Sequence, residues 1–267
     1  MRKKAVFAVS FDVEAGFGRK NINKDRKLRL LVSREPGIVD KILRTLDTYN
    51  MQATFAVVGK LFQQNQILVK RIARAGHEIG SHSLTHADFK KLSYAEAEFE
   101  IKEVVSIAKR HDFQLRSFVF PYNHISHLSL LAKYGFQVYR APLPSFPFSN
   151  ILSFLFPRGY SVSRSHKLVL TLGSFYFSSN RKLGKYIPKG WRFSQAKKGI
   201  DHAIKTGTVF HLWTHPIDLV DSKNQLFKEF EQILAYVSKL EQEQKIEIRT
   251  MQQLTTQRSQ LDYPSIG

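Results

Sequence analysis

The strongest chemical signal in the sequence is the segment Gly-His-Glu-Ile-Gly-Ser-His-Ser-Leu-Thr-His at 76–86. His82 and His86 are four residues apart, a spacing that places two imidazoles on one face of a helical turn. Neutral imidazole is the commonest metal ligand in proteins. The pair therefore favours a metal site, with two surface histidines as the alternative in a chain that has ten histidines.

Two carboxylates follow the first apolar run, in Ser-Phe-Asp-Val-Glu at 10–14. At the carboxyl end of a predicted strand, Asp12 and Glu14 could provide a metal ligand and a general base, or only a solvated turn. Two histidines and one carboxylate leave coordination positions open for water and a substrate oxygen. A metal lowers the pKa of its bound water, and a nearby carboxylate can accept the proton.

Two later segments place polar groups after apolar runs. His211 and His215 are two even steps apart, so they face one side of an extended strand. A histidine at a strand end can protonate a leaving amine, and a hydrogen-bonded core histidine is the alternative. In Phe-Val-Phe-Pro-Tyr-Asn at 118–123 a strand stops at Pro121, and backbone N–H groups beyond it could stabilise an oxyanion.

The elements that must position these residues alternate between strand and helix over the first 140 residues. Hydrophobic spacing predicts strands at 6–11, 53–58, 78–81, 117–120, 136–139, 205–213 and 245–249, and helices at 36–49, 62–75, 94–110, 125–134 and 227–240. Such alternation is typical of parallel βαβ units. The polar, basic stretch 21–34 is predicted to be an exposed loop.

Length and composition favour one α/β domain over 1–267, interrupted by an apolar, irregular insert around 141–194. The insert packs over the barrel mouth or touches a membrane surface. The absence of cysteine excludes disulfides and thiolate metal sites. A net charge of +19 attracts polyanions: nucleic acid, anionic lipid or an acidic glycan. No apolar run is long enough for a signal peptide or a membrane span, so we expect a cytoplasmic protein, with the inner membrane face as its site of peripheral contact.

In this order, the segments resemble the polysaccharide deacetylase (NodB-homology) family. Residues 76–86 are similar to its His-x-x-x-His motif, 10–14 to its Thr-Phe-Asp-Asp motif, 118–123 to its Arg-x-Pro-Tyr motif, and His215-Pro216 to its final histidine motif. The resemblance implies a distorted (β/α) barrel of about seven parallel strands and a divalent metal, often zinc. It also assigns the roles of general base to Asp12, metal ligands to His82 and His86, and general acid to His215.

The resemblance places the oxyanion site at Pro121, Tyr122 and Asn123, with the Tyr122 amide as donor. The second carboxylate of the motif is replaced by Val13, so Glu14 is expected to take the metal. The motif arginine that orients the base is replaced by Val119, and Arg140 or Arg116 is the candidate substitute. The family's Asp-Trp motif is not evident.

The implied activity is metal-dependent removal of an N-acetyl or N-formyl group from an amino sugar, on a polysaccharide or on a lipid-linked sugar. The alternative is a catalytically inactive barrel that binds an acidic glycan or nucleic acid. Retention of Asp12, His82, His86 and His215 favours the enzyme and makes nucleic acid the less favoured partner.

Overall fold

The computed structural model describes residues 3–19, 22, 24–143, 157–165, 167–178, 187–220 and 224–256. Ten strands are found there: β1 (Ala5–Val13), β2 (Thr54–Val57), β3 (Glu78–Ser81), β4 (Ser117–Val119), β5 (Val138–Ala141), β6 (Ser163–Ser165), β7 (Leu168–Leu172), β8 (Phe175–Tyr176), β9 (Val209–Thr214) and β10 (Ile246–Ile248). They form one sheet in the order β6-β7-β5-β4-β3-β2-β1-β9-β8, with β10 also paired to β1. All pairs are parallel except β6 with β7.

The sheet curls so that the segment between β7 and β8 forms hydrogen bonds with strands from both ends of the sheet, β5 and β9. The Gly173 N–H donates to Ala141 of β5, and the Ser174 N–H donates to His211 of β9. The curled, mostly parallel sheet confirms the distorted barrel that the family resemblance implied. The strands beyond the expected seven come from 163–176, within the proposed insert.

The helices in the described residues are α1 (Arg26–Ser33), α2 (Glu35–Thr48), α3 (Leu61–Gln64), α4 (Gln66–Arg74), α5 (Tyr94–Arg110), α6 (Leu128–Lys133), α7 (Trp191–Thr206) and α8 (Gln225–Gln242). Short 3-10 turns lie at Pro121–Asn123, Pro216–Leu219 and Gln252–Thr256. α5 matches its predicted bounds because Ser93 and Glu96 form a reciprocal capping box at its start. The helix predicted over 62–75 is instead divided at Asn65, whose side chain caps α4.

Alternation along β1 sorts its side chains into two environments. Val6 and Ala8 face the barrel interior, in a small apolar cluster closed at the amino-terminal end of the strands by Met251 and Leu254. The outward residues, such as Phe11, join the large core beneath the helices. Burial on both faces is characteristic of parallel sheets. The next inward position towards the carboxyl end is Ser10, where the interior becomes polar.

Three local predictions are corrected by the structure. Residues 26–33 of the expected loop form α1, because Asp25 caps the Leu28 N–H and Leu28, Leu31 and Val32 line its inner side. Residues 205 and 206 belong to α7 instead of a strand, since Gly207 ends the helix with φ +66°. The insert at 141–194 is in part regular, containing β6 to β8, while 144–156, 166 and 179–186 lie outside the described residues. No helix of the described chain is long and apolar enough to cross a membrane.

Candidate active site

Asp12 and Arg140 form a buried ion pair at the top of the barrel interior. Arg140 Nη1 and Nη2 lie 2.8 and 2.6 Å from the two oxygens of Asp12, and both residues are 2% exposed or less. Burial acts to raise the pKa of Asp12, but the charge and hydrogen bonds of Arg140 outweigh it, so the pKa lies below its usual range. Arg140 therefore contacts the predicted base, whereas Arg116 donates to the Gly135 carbonyl elsewhere.

A polar network continues below this pair. Arg140 Nη1 also donates to Ser10 Oγ at 3.0 Å, and Ser10 Oγ lies 2.9 Å from His211 Nε2. His211 is fully buried, and burial together with the Arg140 charge lowers its pKa to about 3. The ring is therefore neutral, and its two nitrogens share hydrogen bonds with Ser10 Oγ and with Thr171 Oγ1, which is 3.3 Å from Nδ1. The Trp213 ring covers the Arg140 guanidinium at 4.2 Å, a cation–π contact.

Three imidazoles converge on one oxygen of Glu14. Its Oε1 lies 3.7 Å from His82 Nε2, 3.1 Å from His86 Nε2 and 3.0 Å from His215 Nε2. Burial would raise the pKa of Glu14, but the facing histidines hold it well below its usual value. Val13 packs in the outer core, as strand alternation predicts, so Glu14 and not Val13 faces the site.

His82 and His86 come together without the helical turn expected from their spacing. They follow β3 in an irregular loop in which Ser83 and His86 have positive φ values of 62° and 66°. The buried carboxylate of Glu100 in α5 accepts the N–H groups of Leu84 and Thr85, both at 3.0 Å. These bonds satisfy amides that a helix would have paired internally, so Glu100 stabilises the loop in place of helical bonding.

His215 is held at the mouth of the site by a second carboxylate. Its Nδ1 lies 3.0 Å from Asp218 Oδ2 and 3.0 Å from the Tyr176 hydroxyl, which donates to the same Asp218 oxygen at 2.6 Å. Burial opposes the charged imidazolium, but Glu14 and Asp218 outweigh it and raise the pKa of His215 to about 10. The Nδ1 of His215 therefore faces Asp218, while its Nε2 faces Glu14.

The side chains of Asp12, Glu14 and the three histidines line one cavity of about 290 Å³, and the proposed oxyanion turn borders it. Tyr122 and Asn123 line it, and Pro121 is buried behind them. Tyr122 and Asn123 have positive φ values of 57° and 56°, and the Tyr122 ring packs edge-on against His86 at 4.8 Å. The amides of Asn123 and His124 donate to carbonyls within the turn, at 3.0 and 3.1 Å. The remaining residues of the cavity wall are Gly18, Arg19, Phe120, Tyr176 and Trp213.

The turn that follows β1 folds over the site from the opposite side. The buried Glu35 of α2 accepts the Ala15 N–H at 2.6 Å, and burial raises the pKa of Glu35 to about 7. Gly18 has a φ of +77°, and a Cβ there would overlap the His86 ring. Arg19 Nε lies 3.4 Å from Glu14 Oε2, the oxygen on the side away from the histidines.

The donor set suits a divalent metal ion. The ligand atoms of Glu14, His82 and His86 lie within 4.8 Å of one another, and all three residues are buried. His82 Nδ1 is 2.8 Å from the Val119 carbonyl, so this nitrogen donates and the Nε2 lone pair faces Glu14. Two histidines with one carboxylate are a common open-sided metal site.

The structure thus brings Asp12, Glu14, His82, His86 and His215 to one cavity, with Arg140 beneath. Sequence reasoning missed Arg19, Tyr176, Trp213 and Asp218, which complete the cavity or its hydrogen bonds. Asp218 follows His215 by three residues, a spacing that could have suggested a partner. Tyr176 lies in the insert, where the sequence offered no such signal.

Comparison with known proteins agrees with this architecture. Residues 20–139 match the sequence-family model for polysaccharide deacetylase. A segment of 61 residues, 23% of this chain, is 44% identical to the peptidoglycan-N-acetylglucosamine deacetylase PgdA of Listeria monocytogenes and covers 12% of that protein. A segment of 102 residues, 38% of this chain, is 33% identical to the chitooligosaccharide deacetylase of Rhizobium leguminosarum bv. trifolii and covers 45% of that protein. The similarity therefore spans less than half the length of either relative.

The fold is shared over the whole chain. A crystal structure from Mycobacterium smegmatis, of a protein assigned to the polysaccharide deacetylases, superposes with a TM-score of 0.77. The superposition covers 100% of this chain and 96% of that one at 16% identity, a level that speaks to fold alone. Residues 20–139 therefore match the polysaccharide deacetylase family, and the whole chain has the fold of a structure assigned to that family.

Proposed function

We propose that this protein is a metal-dependent hydrolase that removes an N-acetyl or N-formyl group from an amino sugar. The observation that carries the proposal is the convergence of Glu14, His82 and His86 beside the Asp12–Arg140 pair in one cavity. A metal ion held there would polarise the acyl carbonyl and acidify a bound water. Zinc is the metal that this ligand set favours in our proposal.

Asp12 would act as the general base. Its depressed pKa keeps it ionised at neutral pH, and Arg140 restricts the carboxylate to one orientation by binding both oxygens. A correctly oriented base typically contributes about 10²–10⁴-fold to the rate. Arg140 would thus take the role of the motif arginine, whose position in this sequence is occupied by Val119.

His215 would act as the general acid. Asp218 accepts from Nδ1, which leaves Nε2 as the nitrogen that delivers a proton into the cavity. The tetrahedral oxyanion would be stabilised by the amide of Tyr122, a residue that lines the cavity. Release of the protonated amine would give a free amino sugar and a carboxylic acid.

The substrate in this proposal is an N-acylated carbohydrate, polymeric or attached to a lipid. The two named relatives act on peptidoglycan and chitooligosaccharide, as their names state, which supports a carbohydrate amide. A net charge of +19 supports contact with an anionic membrane if the sugar is lipid-linked.

The deciding experiment measures bound metal and released acetate or formate on the same samples. Wild type is compared with His82→Ala and with His202→Ala, a matched substitution in α7 outside the cavity. We expect one metal per chain and metal-dependent acyl release in wild type and in His202→Ala, and loss of both in His82→Ala.

No metal in any of these proteins after soaking with zinc would refute the enzyme and leave the alternative of a binding barrel. Bound metal with no release of acetate or formate from oligosaccharides or lipid-linked sugars would refute the proposed reaction while keeping the metal site. Binding of nucleic acid or acidic glycan that needs no metal and weakens steeply with salt would favour the alternative.

A further inference from the structure

We infer that Arg19 and the basic rim around the cavity select a substrate that carries an anionic group, phosphate or carboxylate, next to its N-acyl sugar. This inference rests on the proposed function, because it names the substrate class of that site. It also gives a role to the basic segment 19–34, which contains seven Lys and Arg and a single acidic residue, Asp25.

Arg19 is placed at the reacting site itself. Its Nε is 3.4 Å from Glu14 Oε2, and its side chain lines the cavity with about a quarter of its surface exposed. Its charge also reaches Asp218 and contributes to lowering the pKa of that carboxyl. The Arg19 guanidinium therefore lies beside the carboxylate that is proposed to hold the metal.

Two hydrogen bonds hold the backbone at Gly18 and Arg19, so the base of the Arg19 side chain is positioned before substrate arrives. The Arg19 N–H donates to Gly16 at 3.2 Å, and the Tyr122 hydroxyl donates to the Gly18 carbonyl at 3.1 Å. This second bond joins the β1 turn to the oxyanion turn across the cavity mouth. A preformed donor costs less ordering entropy on binding.

Charge balance favours an anion at this position. A divalent cation on Glu14, His82 and His86 would offset the Glu14 charge, which is the counter-charge of Arg19 in the metal-free protein. Asp12 is already paired with Arg140, and Asp218 with His215. The guanidinium would then be left to a group on the substrate, and its planar fork suits carboxylate or phosphate.

The rim extends the same positive potential outwards. Lys60 follows β2, Lys90 follows the histidine loop after β3, and Arg26 begins α1 after β1; all three are exposed. The carboxyl ends of parallel strands meet at one edge of the sheet, so Lys60 and Lys90 lie on the side of the sheet that carries the cavity. The nearby acids are engaged: Asp25 caps α1, and Asp88 accepts from His124. Such a cationic mouth would raise the encounter rate with anionic substrates.

The test compares N-acetylglucosamine 1-phosphate with N-acetylglucosamine on metal-loaded protein. Wild type is measured beside Arg19→Gln and beside Lys109→Gln, which removes the same charge from the exposed end of α5 away from the cavity. We expect wild type and Lys109→Gln to prefer the phosphorylated sugar by at least about ten-fold in kcat/KM. Arg19→Gln should reduce this preference by about 10–100-fold, mainly through KM.

Equilibrium binding of glucosamine 1-phosphate supplies a readout that does not depend on turnover. It is measured on metal-loaded protein, because in metal-free protein Glu14 remains the counter-charge of Arg19. We expect Arg19→Gln to weaken binding, and Arg19→Lys to be intermediate because it keeps the charge without the fork. Phosphate held by the metal alone would instead bind all three proteins equally.

Equal use of the two sugars by wild type, or an unchanged preference in Arg19→Gln, would overturn the inference while leaving the hydrolase intact. Binding that depends on Arg19, with no acyl release from either sugar, would support the anion site and refute the proposed reaction. Loss of the preference in Lys109→Gln as well would show that overall charge, and not Arg19, is responsible, and would overturn the inference.

Discussion

Removal of Arg140 should be among the most damaging single changes in the barrel interior. Arg140→Met keeps a long apolar side chain but deletes both bonds to Asp12 and the bond to Ser10. Breaking a buried pair by removing one partner typically costs about 3–5 kcal/mol, because the other charge is left uncompensated. For 267 residues the unfolding entropy is about 0.6 kcal/mol per kelvin, so the melting temperature should fall by about 5–9 °C.

The pH dependence of this loss of stability shows whether the unpaired Asp12 carboxylate causes it. In wild type the pKa of Asp12 is depressed, so its stabilising contribution is complete above its usual pKa of about 4 and is lost as the pH falls through the lower folded value. In Arg140→Met, burial alone would raise the pKa of Asp12. The difference in the free energy of unfolding between variant and wild type should therefore be largest near pH 8. It should shrink as the pH falls through the raised pKa of Asp12 in the variant.

Denaturant unfolding of metal-free protein at pH 8 and pH 5 measures these differences without interference from a bound ion. Asp12→Asn/Arg140→Met, which removes both charges, should be more stable at pH 8 than Arg140→Met alone. Activity should fall at least about 100-fold in Arg140→Met. A pH-independent cost below about 1 kcal/mol, with no rescue in the double variant, would refute the assignment of Arg140 as the counter-charge of Asp12.

Three further substitutions probe the surrounding shell. Gly18→Ala should displace the His86 ring and reduce metal affinity, which a metal titration measures. The control is Gly37→Ala in α2, where a Cβ would meet nothing within 4 Å. In thermal melts it should be neutral or stabilise the protein by up to about 1 kcal/mol. Glu100→Gln should loosen the histidine loop and weaken metal binding by about 10–100-fold, which competition with a chelator would detect; unchanged affinity would contradict its role. Tyr176→Phe keeps the ring but removes the donor to Asp218, so kcat should fall about ten-fold with little change in KM; an unaltered kcat would argue against this support of His215.

Sequence patterns predicted the fold well wherever local signals agree with tertiary contacts. α5 has both a capping box and an apolar stripe, and β1 is a short apolar run that ends in carboxylates. Predictions failed where the decisive partner is distant in the chain. The loop of His82 and His86 is stabilised by Glu100, and no spacing rule within 76–86 reveals that bond.

For the candidate site, too, the residues with a local sequence signal were predicted and those positioned by distant contacts were missed. Asp12 and Glu14 were identified because both carboxylates come at the end of an apolar run and the family resemblance assigns roles to them, and strand alternation agrees with an inward direction for both. The surrounding donors came from β8, from the turn after β9 and from the turn after β1, which meet only when the sheet curls. Tyr176, for example, reaches His215 across 39 positions of the chain. The order of residues in the sequence carries no direct record of such a contact.

The proposal that Arg140 takes the place of the motif arginine can be tested by exchanging two residues of neighbouring strands. Val119 and Arg140 are register partners on β4 and β5, and paired residues of parallel strands point to the same face. Val119 lies in the interior cluster, one strand away from the guanidinium. In the proposed function Arg140 takes the place of the motif arginine from the neighbouring strand, which predicts that the two residues can be exchanged.

The reversal is Val119→Arg combined with Arg140→Val, which conserves the interior volume and charge. The double variant should recover at least about ten-fold of the activity lost in Arg140→Val, because a guanidinium again faces Asp12 from the adjacent strand. Val119→Arg alone adds an unpaired buried charge and should destabilise by several kcal/mol. A folded, metal-bound double variant no more active than Arg140→Val would mean that the base needs the Ser10 and Trp213 contacts of Arg140, and not merely a nearby positive charge.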